Sequence, residues 1–283
     1  MDSEVLTEVV IKGITFSRCG QITFQHIANL DISDVSFSNC LDRISVYNVY
    51  QNVQMTTVSL SHCQSLFVTN TVDFIFKNST VLASNHSEGA AAILDITHVG
   101  NVTIAGSLFS SNTPNSRSLE IDLSPSVIID NCTFYNHSEF YGAALSSIES
   151  VVTLSETTFI GNSATCQGGA VYMYLGLLTV HNSTFLNNTV GSSFGYYCSG
   201  GAVYVENSSL AIRDSTFEHN SADRNDCGAV CNFHGDYLIV TDSRFRFNRG
   251  GDRGGALCST NSTTIEKSFS SNRARYKEGV LYT

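Results

Sequence analysis

Carboxylates are the first residues in this chain whose type and spacing could do chemistry. Asp95, Asp122, Glu149 and Glu206 each follow a strand-like stretch, 27, 27 and 57 residues apart. Aligned on one face, such groups suit glycosidic-bond cleavage, which needs one protonated and one ionised carboxyl. A solvated edge accounts for the same spacing. Adjacent Asp-Asp, Asn-Thr-Asp, Gly-His-Gly and Arg-Ile-Lys clusters are absent, and His234-Gly235-Asp236 reads as a turn. No catalytic residue, metal ligand or cofactor is therefore predicted.

Cysteine offers a second chemistry. The chain has 9 cysteines and no Cys-x-x-Cys pair, so zinc is not indicated. Cys166 and Cys198 each stand two residues before a glycine pair, Cys231 and Cys258 one slot after an Ala-Val or Ala-Leu pair. Nine Asn-x-Ser/Thr acceptor sequences offer a third, at Asn78, Asn85, Asn101, Asn131, Asn136, Asn182, Asn187, Asn207 and Asn261. Asn182, Asn207, Asn261 and Asn78 are the glycosylation candidates.

The elements that position these residues repeat. Gly168-Gly169-Ala170-Val171-Tyr172 returns as Gly200-Gly201-Ala202-Val203-Tyr204, Cys227-Gly228-Ala229-Val230-Cys231 and Gly254-Gly255-Ala256-Leu257-Cys258. Between the copies a Phe precedes an Asn by three residues, in Phe159–Asn162, Phe185–Asn188, Phe217–Asn220, Phe245–Asn248 and Phe269–Asn272. Extended back, the Phe slot reads Phe16, Phe37, Leu60, Leu82, Phe109 and Phe134, with steps of 21 to 32 residues. Two motifs alternating at that period mark a solenoid. Apolar residues alternate, as in Leu178, Val180 and then Phe185, so the units are strands rather than helices.

The expected fold is all-β: a right-handed, pectin-lyase-like parallel β-helix of about eleven coils, roughly 50 Å long at about 4.8 Å per coil. Residues 1–283 form one domain, with degenerate coils over 1–108 and clear repeats over 109–283. Each Phe should stack on its counterpart, and each Asn should sit at a corner within reach of the Asn above and below. Equivalent residues on neighbouring coils fall within disulfide reach. Cys166–Cys198 is thus the first expected bridge and Cys231–Cys258 the second, with stacked free thiols as the alternative. Cys19, Cys40 and Cys63 share the Asn slot on three early coils.

Composition narrows the role. Charged residues make up 14% of the chain and the net charge is -10, which disfavours a nucleic-acid partner. Residues 1–212 carry 5 Lys/Arg against 16 Asp/Glu, whereas 213–283 carry 10 against 9. Arg244, Arg246, Arg249 and Arg253 cluster there, as a solvated rim or an anionic-glycan contact. No stretch reaches the length of a membrane helix, so this segment should not insert. Strand-like sequence begins almost at once and ends within a motif. The chain is accordingly expected to be an uncapped piece of a longer protein whose signal or anchor lies outside it.

The paired motifs, over about residues 159–272, resemble the repeat of the chlamydial polymorphic outer membrane proteins. That resemblance implies a surface-exposed β-helix implicated in adhesion. The early Asn slots hold Cys, a departure from that pattern. Other parallel β-helices cleave acidic polysaccharides. The reading is a non-enzymatic extracellular or cell-surface scaffold or adhesion module, with glycans or cell-surface proteins as partners. The alternatives are a carbohydrate-active enzyme, lyase or hydrolase, and a passive spacer of a larger surface protein.

Overall fold

A computed structural model describes residues 6–82, 92–110, 117–191, 199–222, 227–251, 253–260, 263–266, 269–274 and 281–282. Every described element is a strand, and every strand pairing is parallel between equivalent stretches of successive turns. The chain winds as a solenoid with three sheets of 18, 11 and 5 strands along its length.

The 11-stranded sheet supplies the vertical file of the core. Its short strands carry one inward residue each. The register runs Phe16, Phe37, Leu60, Val81, Phe109, Phe134, Phe159, Phe185, Phe217, Phe245, Phe269. One assignment changes: the fourth rung is Val81, fully buried, while Leu82 faces outward at 39% exposure. Strand Thr80–Leu82 carries two apolar residues in succession, and only pairing with neighbouring turns tells which of them points inward. From Phe134 to Phe245 successive rings lie 4.6–4.9 Å apart at 2–8°. This offset stacking adds roughly 0.5–1.5 kcal/mol per pair to the burial.

A buried asparagine ladder flanks the file. The amide nitrogens of Asn162, Asn188, Asn220 and Asn248 each donate to the Oδ1 of the next Asn, ending on Asn272, at 3.0 Å. The same nitrogens donate to the carbonyls of Phe134, Phe159, Phe185 and Phe217 on the preceding turn. Each Oδ1 also accepts a backbone N–H, so no amide group of the ladder interior is wasted. His137 heads the series: its N–H donates to Asn162 Oδ1, and its Nε2 lies 3.2 Å from the Phe109 carbonyl.

The Gly-Gly-Ala motif turns the chain into the first sheet. Gly168, Gly200 and Gly254 adopt φ of 60, 70 and 52°, and Cys227 holds the same position at 64°. The second glycine serves close approach: a Cβ on Gly169 or Gly201 would strike backbone of the adjoining turn. Ala170, Ala202, Ala229 and Ala256 behind them are fully buried.

The two halves differ in section. Up to Ala105 the first sheet uses long unbroken strands, Ile22–Ser33, Ile44–Thr56, Leu66–Lys77 and Leu94–Ala105. Each bends at one left-handed residue, His26, Asn48, Asn70 or His98. Beyond it the same limb is split in two, as in Leu119–Asp122 and Ser126–Asp130, and Leu94–Ala105 pairs with both pieces. The third sheet starts only at Ser138–Tyr141.

Two disulfides are present among the described residues, Cys19–Cys40 and Cys227–Cys258, with Cα atoms 4.6 and 5.3 Å apart. The expected Cys231–Cys258 bridge is corrected. Cys231 and Cys258 are register partners on neighbouring strands, where side chains run side by side. Cys227 sits at the left-handed corner before the strand, and its side chain reaches over to Cys258. Cys166 is buried, and Cys198 lies outside the described residues, so their pairing is not placed. Cys63 and Cys132 are buried free thiols; burial raises the pKa of both, that of Cys132 to about 11.

Candidate functional site: the outer face of the first sheet

The Tyr that follows Gly-Gly-Ala-Val points away from the core, and so does the residue two further on. Stacking over the turns makes two outward columns. One reads Thr23, Ser45, Phe67, Asp95, Glu120, Ser146, Tyr172, Tyr204, Cys231, Cys258. The other reads Gln25, Tyr47, Thr69, Thr97, Asp122, Ile148, Tyr174, Glu206, Phe233. Their inward neighbours, such as Leu94, Ile96, Leu119 and Ile121, are core residues, which fixes the direction of every side chain on the face.

Three carboxylates gather at its middle. Asp95 and Glu120 are direct register partners, and Asp122 lies two residues along from Glu120, beside Thr97. The diagonal from Asp95 to Asp122 is about 7–8 Å between Cα atoms. Burial raises the Asp122 pKa to about 6, helped by the Glu120 charge and opposed by the Ile148 N–H that donates to its Oδ1 at 3.0 Å. Burial and the Glu120 charge raise Asp95 as well, against the pull of Arg43 and of the Thr97 hydroxyl. Two guanidinium groups bound the cluster. Arg117 donates to Glu120 Oε1 at 2.8 Å and to the Tyr141 carbonyl at 3.3 Å. Arg43 lies 4.9 Å over the Phe67 ring.

Aromatic residues occupy either side. Toward the chain start, the Tyr47 hydroxyl donates to Gln25, and Phe67 follows one turn on. Toward the chain end, Tyr141, Tyr172 and Tyr204 form a stair, with ring centres 5.3 and 5.9 Å apart. The Tyr204 phenol donates to Glu206 at 3.4 Å, and burial and neighbouring acids raise its pKa far above the usual phenol value. Here the face deepens into a cavity of about 500 Å³ lined by Tyr141, Tyr204, Glu206, Phe233, Arg253 and Thr260.

Of the four carboxylates singled out in the sequence, Asp95 and Asp122 come together, and Glu206 shares their face three turns on. Glu149 does not join them: it sits at an exposed left-handed corner with φ 51°. Glu120, Arg117 and Arg43 were missed in the sequence. The Glu120-Ile121-Asp122 alternation signalled two acids on one face, yet Asp95 joins them only through the coil register. The basic cluster is dispersed. Arg246 pairs with Glu218, Arg244 and Arg249 are exposed on other sheets, and Arg253 lines the cavity. Among the described residues no group of three or more His, Cys, Asp or Glu side chains is placed to hold a metal ion.

Asn182, Asn207 and Asn78 are exposed at left-handed corners, φ 45, 48 and 49°. Asn261 lies outside the described residues.

With the solenoid and its outer face defined, the family match agrees with the fold. The chain belongs to the family described as the right-handed β-helix region, which matches residues 91–274. No curated protein matches the chain. Its disulfides point away from the reducing cytoplasm. Among the described residues no helix is long and apolar enough to cross a membrane.

Proposed function

We propose that this chain is a non-enzymatic extracellular or cell-surface scaffold that holds glycans on the outer face of its first sheet. One observation carries the reading. Aromatic rings and carboxylates, interspersed with Ser, Thr and one Ile, recur along two outward columns from Gln25 to Glu206 that open into a cavity. Rings offer apolar platforms for the C–H faces of sugars, and carboxylates accept bonds from their hydroxyls. A regular coil spacing presents such groups repeatedly to a repeating chain. Adhesion through bound glycans follows naturally from a rigid rod of this kind, in keeping with the repeat resemblance.

A glycan array probed with the intact chain tests this. Binding of hydroxyl-rich oligosaccharides is expected, weakened at least about tenfold in Tyr172→Ala and Tyr174→Ala while the strand circular-dichroism signal is retained. Binding unchanged in both variants would remove the face from consideration.

The Asp95–Glu120–Asp122 cluster favours a second reading, glycosidic-bond hydrolysis. Burial raises two carboxyls here, Asp122 to about 6 and Asp95 beside it, and a carboxyl raised in this way suits a general acid. Release of reducing ends from a polysaccharide, abolished in Asp122→Asn, would replace the scaffold reading with an enzymatic one.

A further inference from the structure

Three acceptor sequences share one place in the coil. Asn78, Asn131 and Asn182 each stand three residues before a core rung, Val81, Phe134 and Phe185. All three are exposed and left-handed, with φ of 49, 47 and 45°. Their hydroxyl partners Thr80, Thr133 and Thr184 are outward residues of the second sheet, beside the rungs.

The corner does not demand asparagine. On other turns it holds Gly13, Asp34, Thr57, Gly106, Glu156, Asp214 or Asp242, also at positive φ. Nor does the solenoid use these three amides in its core, unlike Asn162 or Asn188, whose amides are buried and fully engaged. At Asn78 the Oδ1 lies toward Gly106 of the next turn, where a Cβ would crowd it.

We propose that Asn78, Asn131 and Asn182 carry N-linked glycans, which line one edge of the second sheet. In each transfer the amide Nδ2 bonds to the anomeric carbon of an oligosaccharide carried on a lipid pyrophosphate. The bond from that carbon to the pyrophosphate oxygen breaks, the pyrophosphate leaves with the electron pair, and the amide gives up one proton. The disulfides place the chain in a compartment compatible with this chemistry.

The test is secretion of the whole chain from a eukaryotic host, followed by enzymatic deglycosylation and peptide mapping of the Asn converted to Asp. Modification at two or three of these sites is expected. The variants Asn78→Asp, Asn131→Asp and Asn182→Asp should each lose one glycan and keep the fold, since Asp34, Asp214 and Asp242 fill the same corner. Thr184→Val should remove the Asn182 glycan without touching the corner, and Thr184→Ser should retain it. Secreted protein modified at one or none of the three would overturn the proposal. Glycan-array binding is read on the same material, so failure of occupancy and failure of the first-sheet reading remain distinct.

Discussion

The corner three residues after each rung is built in two ways within one molecule. In the first turns it holds Cys19, Cys40 and Cys63; in the last it holds Asn162, Asn188, Asn220, Asn248 and Asn272. Both sets are inward and stacked, but they satisfy the turn by different means. The cysteine corner takes one covalent bond, Cys19–Cys40, and a weak thiol contact from Cys63 to the Ser61 carbonyl. The asparagine corner ties every turn to both neighbours through amide and backbone groups together. A ladder can be extended without limit, whereas a disulfide joins only two turns. The ring file changes in parallel, from Phe16–Phe37 followed by Leu60 and Val81 to an uninterrupted series of phenylalanines from Phe109.

The sharpest way to break this contrast is Phe185→Ala, which removes a fully buried ring stacked on both sides. A loss of about 3–5 kcal/mol is expected, with Leu60→Ala costing about 2–4 kcal/mol for want of ring partners. Denaturant midpoints of the two variants measure the difference. Equal losses would mean that ring stacking adds nothing to the later turns.

A smaller effect separates the corners themselves. Asn188→Ala removes the acceptor shared by the Asn162 backbone N–H and side-chain amide, and the donor to the Phe159 carbonyl, for about 2–4 kcal/mol. Cys63→Ala, in the same slot, should cost about 1 kcal/mol, since a buried thiol behaves as a small hydrophobe. Thermal unfolding of both reports the ranking, and a reversed order would show that the ladder is redundant.

The mildest test sharpens the comparison at the ladder's head. His137 is buried, and desolvation lowers its pKa from 6.5 to about 4. The unfolded chain therefore binds this proton first as pH falls. Stability is fully present above pH 6.5 and is lost between there and about pH 4, by at most about 3 kcal/mol. Asp122 works the other way. Its folded pKa, raised to about 6, favours the folded state as pH falls from about 6 toward 3.8. His137→Asn, which can still donate to the Phe109 carbonyl, should keep its melting temperature in mild acid better than the parent. Asp122→Asn should lose the opposing gain. Identical pH profiles for His137→Asn and the parent would detach the ladder's head from acid stability.

Periodicity made the solenoid legible because each motif has a local cause. Glycine is needed where φ is positive or backbones nearly touch, and a lone apolar residue in a three-residue strand must face inward. The same logic erred at Leu82 because Val81 and Leu82 are both apolar, and only hydrogen-bond register with the adjoining turns chooses between them. The cysteines erred for a related reason: slot equivalence places Cα atoms within reach but says nothing of where each Sγ points.

Residue type and short spacing alone set the repeating strands, the stacked rings, the glycine turns and the acceptor sequences. Tertiary structure alone decided the site. Asp95, Glu120 and Asp122 meet because one turn of the solenoid happens to bring residue 95 over residue 120. Coil lengths vary from turn to turn, so the vertical neighbour of any outward side chain is set by the core packing beneath it.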